Sequence, residues 1–162
     1  AYVECVPEEA PPSLSSTAMA SQQRWGPEPL AVLRLAALSR IHVLAPLCPE
    51  AYLAEDGPQV MMRLLAVSSH TGCVEGALRH LHHLVAAAPE FAEVLGAVGG
   101  MQVLVGLLQD GTRSQGARHC CLLLLALACR LNKENLRRIR HAGGVMALLA
   151  ALQRCKAQDS TL

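Results

Sequence analysis

The sequence predicts an all-α protein, a right-handed α-solenoid of about three repeats behind an extended N-terminal arm. Three observations carry this expectation. Of 162 residues 52% are hydrophobic, yet only Tyr2, Trp25, Tyr52 and Phe91 are aromatic. Leu, Ala and Val must therefore build the core, whereas strands favour aromatic and β-branched residues. A phrase also recurs: residues 37–50 read ALSRIHVLAPLCPE, and residues 77–90, forty positions on, read ALRHLHHLVAAAPE. Within each phrase the apolar residues fall three and four apart, on one face of a helix.

Taken in order, residues 1–26 are rich in Pro, Ser and Glu without sustained periodicity, and an extended or disordered arm is expected there. Ala1 to Val6 reads as the frayed end of a helix. With no initiator Met and no signal-peptide pattern, the chain reads as a fragment or a processed product. From Pro29 the pattern turns helical. Leu30, Leu33, Ala37, Leu38, Ile41 and Leu44 form a stripe expected to face the core, and Pro46 and Pro49 stop that helix. The second copy of the phrase makes a second such helix. A third begins at Cys120-Cys121, forty-three residues beyond Ala77-Leu78. There Leu124 and Leu127 answer Leu81 and Leu84, and Asn132-Lys133 stands in for Pro89-Glu90. Each copy leads into a short amphipathic piece and a glycine break, at Gly57-Pro58, Gly99-Gly100 and Gly143-Gly144. Glycine suits these breaks because it takes positive φ without steric penalty. Helices are then expected over Gln59 to Val67, Met101 to Gln109 and Val145 to Gln153. A period of 40–44 residues with three helices per unit is the mark of a helical solenoid, whose units bury their apolar faces against one another. Such stacking would cover Leu122 to Leu127, which is apolar on every side. The repeat domain is expected over 27–156 and a tail over 157–162.

The stretch GGMQVLVGLLQDGTRSQGARHCCLLLLALACRLNKENLRRIRHAGGVMALLAAL, residues 99–152, resembles an armadillo repeat running into the next. The resemblance implies a short first helix (Glu90 to Val98; Asn135 to His141), a middle helix after the glycines and a long third helix. It also implies a concave groove, lined by the third helices, that holds a protein partner. The nuclear-import adaptors of this family carry a ladder of Trp and, four residues later, Asn. The equivalent Trp positions here are Ser39, Arg79 and Leu122, and the Asn positions are Val43, His83 and Ala126. None matches, so the groove implied is of mixed chemistry, apolar at Leu122 and Ala126 and cationic or titratable at Arg79 and His83. The chain further resembles armadillo-type proteins of the ciliary axoneme.

Charge is unevenly spread. Residues 1–109 carry a balance of −5 and residues 110–162 one of +6. The basic end includes Arg137, Arg138 and Arg140, a second candidate protein-binding face. A solvated helix face is preferred to a nucleic-acid site, because no aromatic residue lies in 110–162 to stack bases. The seven cysteines are irregularly spaced and form no CxxC pair, as expected of small buried hydrophobes in a reducing compartment rather than zinc ligands. His80 and His83 lie one helical turn apart, but the sequence offers no third ligand near them. A groove or surface role is expected for these histidines, with a pH response through His83. His119 is expected at a helix edge. No GxSxG, HExxH, GxxxxGK[ST] or GxGxxG motif occurs, so no enzymatic activity, small-molecule substrate, cofactor or metal is expected. The longest uncharged apolar run, Cys120 to Cys129, is ten residues, against ~20 for a membrane span, so no membrane association is expected.

The function expected is that of a non-enzymatic interaction scaffold in a larger cytoplasmic or cytoskeletal assembly, with the axoneme as the specific setting. The alternative is a soluble peptide-binding adaptor that uses the groove. Leu81 and Leu124 are expected in the core, and Arg113 on a loop surface, where truncation costs under ~0.5 kcal/mol.

Overall fold

The protein is described by a computed structural model over residues 27–159; the expected arm over 1–26 and residues 160–162 lie outside the described part. The described residues form helices and no strand, in the order α1 (Pro27–Leu44), α2 (Pro49–Ala54), α3 (Gly57–Val67), α4 (Thr71–Ala87), α5 (Phe91–Ala97), α6 (Gly100–Gln109), α7 (Gln115–Leu131), α8 (Lys133–His141) and α9 (Gly144–Asp159). A long helix, a short one and a third, intermediate in the first two units and 16 residues long in the last, thus follow each other three times. The last of them, α9, continues to Asp159, three residues into the segment expected as a tail.

Leucine, alanine and methionine build the interior. Leu65, Leu78, Leu84, Leu95, Met101, Leu104, Leu108 and Leu124 are fully buried, as are Leu81 at 3% and Ala77 and Ala128 at 0% exposure. Helix α4 packs against α1 and against α7. In the same way α3 meets α6, α6 meets α9, and α5 meets α8. Each of these contacts joins helices of the same kind one period apart.

The turn before each intermediate helix repeats one device. Gly99 and Gly143 adopt φ of +77° and +76°, which only glycine takes without strain. In the first copy that position is Asp56, at φ +53°, so the left-handed residue precedes Gly57 rather than being Gly57. The residue after it needs space instead. A Cβ at Gly57, Gly100 or Gly144 would run into Tyr52, Leu95 or Ile139, respectively. In each case the obstructing residue stands five positions earlier, on the short helix.

Caps fix the register of the long helices. His70 Nδ1 accepts from Cys73 N–H at 3.3 Å before α4, and Ser114 Oγ accepts from Ala117 N–H at 3.0 Å before α7, each satisfying a donor left free in the first turn. These caps, with the C-caps Ala88 and Asn132, set α4 and α7 forty-four residues apart. The expected offset of forty-three is therefore one short, and Leu123 and Leu127, not Leu122 and Ala126, are equivalent to Arg79 and His83.

Two burial expectations also change. The side of α1 turned inward is Ala31, Leu38 and Ala45, at 6%, 5% and 4% exposure, whereas Leu30, Leu33 and Leu44 are 40%, 63% and 60% exposed. Helix α1 is apolar on more than one side, so spacing alone cannot choose the buried face. On α7 the run 122–127 is covered only in part: Leu124 and Leu125 are buried, Leu122 and Leu127 half-buried, and Leu123 and Ala126 exposed.

Candidate interaction surface

Helices α1, α4 and α7 lie side by side, and the valleys between them are the clefts of interest. Between α1 and α4 a cleft of about 280 Å³ is lined by Leu35, Leu38, Ser39 and His42 from one helix and Gly72, Gly76 and Arg79 from the other. The two glycines, one helical turn apart, keep its floor low. A Cβ on Gly72 would touch Leu35, and one on Gly76 would touch Leu38, each at 3.6 Å. Arg79 rises at the rim with 64% of its side chain exposed, 3.8 Å from Glu75. An ion pair this open contributes little to stability, so the guanidinium can exchange partners at small loss. Ser39 is exposed and its hydroxyl donates to the Ala36 carbonyl at 2.8 Å. Between α4 and α7, a second cleft is lined by His82, Leu123, Ala126, Leu127 and Arg130.

The structure thus brings Ser39 and Arg79 to one cleft, and His83 close by, its ring 4.8 Å from that of His42. Val43 is 62% exposed. Ala126 lines the second cleft, while Leu122 is half-buried. Sequence reasoning overlooked His42, Gly72, Gly76, Leu123 and Leu127. The glycine pair at four-residue spacing is a readable sign of close helix approach; His42 shows no such sign, because only packing brings it to His83.

His80 departs from the expected surface role. It is fully buried, with Nε2 3.2 Å from the Tyr52 hydroxyl and Nδ1 without a hydrogen-bond partner among the described residues. Burial, followed by the neighbouring imidazoles of His42 and His83, lowers its pKa to about 4. It is a neutral core residue near neutral pH. Burial also pushes the Tyr52 phenol up. His42 supplies a third imidazole, 5.9 Å from His80 between ring centroids, but among the described residues no group of three or more His, Cys, Asp or Glu side chains is arranged to hold a metal ion.

The three arginines of the basic end differ. Arg137 is 75% exposed and pairs with Glu134 at 3.1 Å. Arg140 is exposed. Arg138 is half-buried; its Nη1 donates to Asn135 Oδ1 at 3.0 Å, and it lies against Gly96. Arg138 is thus part of the α5–α8 contact. There Asn135, fully buried, donates to the carbonyls of Ala92 at 2.7 Å and Ala128 at 3.2 Å. Cys73 and Cys121 are buried and Cys48 is exposed; burial, with Cys120 beside it, pushes the Cys121 thiol up to about 12, which keeps it unreactive.

No single described helix is long and apolar enough to cross a membrane. No protein-family model matches the sequence, and no curated protein matches it either.

Proposed function

We propose that the chain is an α-solenoid of armadillo-like units that acts as a non-enzymatic scaffold, holding a protein partner along the α1–α4–α7 surface. The single observation that carries this is the cleft between α1 and α4. It has a glycine floor, apolar walls at Leu35 and Leu38, and a weakly engaged cation at Arg79. Such a site suits a protein segment with a small apolar side chain and a carboxylate. The contacts between like helices one period apart support the solenoid. Cysteine usage supports a cytoplasmic or cytoskeletal setting; the ciliary axoneme rests on resemblance alone.

The test is site-directed photocrosslinking with the full chain. A crosslinker at Ser39 or Leu123 is expected to capture a protein partner that the same group at exposed Gln102, on α6, does not, and Arg79→Glu is expected to abolish capture. A partner held through Gln102 and indifferent to Arg79→Glu would place binding on another face. Capture of a short linear segment by the isolated chain selects the adaptor reading, and capture only within a large salt-resistant assembly selects the scaffold.

A further inference from the structure

Among the described residues, α4 is the long helix with a counterpart on each flank, so it shows which positions each flank uses. Helix α1 offers Leu35, Leu38 and His42; α4 receives them at Gly72, Gly76 and His83. On its other flank α4 offers Glu75 and His82, forty positions beyond Leu35 and His42. Glu75 accepts from Ser114 Oγ at 2.7 Å and lies over Gly116, and His82 faces the α7 cleft. The same flank therefore leads from α1 to α4 and from α4 to α7.

Carried one step further, the offering flank of α7 is His119, Leu122 and Ala126, which are exposed or half-buried. Carried one step back, the receiving flank of α1 is Val32, Ala36 and Val43, with the two valines 65% and 62% exposed. The intermediate helices repeat the pattern. Met146 and Leu149 on α9, counterparts of Gln59 and Met62, are 69% and 49% exposed, and Val60 on α3, counterpart of Val103, is 44% exposed. The two ends also differ in charge. On α8 exposed Lys133, Arg137 and Arg140 outnumber exposed Glu134, and on α1–α3 exposed Glu50, Glu55 and Asp56 outnumber exposed Arg40 and Arg63.

We propose that the two ends form one interface: the α7–α9 end of one copy of this chain seats on the α1–α3 end of a second copy, head to tail, in the register already used inside the chain. The proposal rests on the stacking reading above. Pairing like ends would set acidic against acidic or basic against basic, whereas unlike ends bring opposite charges together. A head-to-tail contact does not close on itself and propagates.

Sedimentation of the full chain over about a hundredfold range of concentration is expected to show a mass that rises past two copies, and less so at high salt. Val32→Glu with Val43→Glu blocks one end, and Met146→Glu with Leu149→Glu blocks the other. All four side chains are exposed, so unfolding midpoints should hold. Each blocked chain is expected to be monomeric alone, and an equimolar mixture to form a dimer and nothing larger. Arg140→Glu, outside the apolar contact, is expected to weaken assembly about tenfold. A wild-type chain monomeric at every concentration overturns the proposal and gives the ends to some other occupant, with the stacking of helices within the chain left standing. Blocked chains that still dimerise alone overturn it in favour of like-end pairing.

Discussion

His80 shows how much one side chain can ask of its surroundings. Its imidazole is excluded from water, shares one hydrogen bond with Tyr52, and titrates near 4 rather than the ordinary 6.5. Above pH 6.5 the group is neutral in both folded and unfolded chains, and its contribution is fully present. As pH falls from 6.5 toward 4, the unfolded chain takes up a proton that the folded chain refuses. Stability is then lost, by about 3 kcal/mol in all, levelling off below pH 4. Thermal unfolding at about pH 7.5 and about pH 4.5 should show a drop in midpoint for the wild type several degrees larger than for His80→Leu. Equal drops in the two proteins would place the titrating group elsewhere.

At the scale of the element, the α6–α7 connection is more than a loop. Arg113 has 18% of its side chain exposed. It donates through Nε to Asp110 at 2.7 Å and through Nη1 to the Ser68 carbonyl at 2.6 Å, tying this turn to the end of α3. Asp110 also accepts from the Thr112 amide and hydroxyl; those bonds, then Arg113, hold its carboxyl below the usual range. Arg113→Ala is expected to cost about 1–2 kcal/mol in chemical denaturation, above the ~0.5 kcal/mol of a loop surface change. A smaller loss would return it to the loop surface. The sequence GTRSQG announces a turn and nothing of Ser68, because the partner lies forty-five residues away. The same limit governs what else could be read. The helices were legible because Leu and Ala spacing is local, and the forty-residue repeat placed Ser39 and Arg79 at equivalent positions. The third copy slipped by one because it lacks the Pro-Glu marker that aligned the first two. The α1 stripe held at Leu38 and Ile41 and failed at Leu30, Leu33 and Leu44, because an apolar helix needs its neighbours to say which side is inside.

For the whole molecule, the decisive property is that α4 stands between α1 and α7. Leu81 and Leu124 are 3% and 0% exposed, and an aspartate at either site would be an unpaired charge in the interior. Leu81→Asp or Leu124→Asp is expected to abolish the folded domain, read as loss of cooperative thermal unfolding by circular dichroism. Wild-type melting in either variant would contradict the packing described.

The principal contacts along each layer link a helix to the next of its kind and reach no farther. Tension applied between the first helix and the last would therefore be carried in full by every seam in turn, with the extension and not the force divided among them, so the weakest seam would part first.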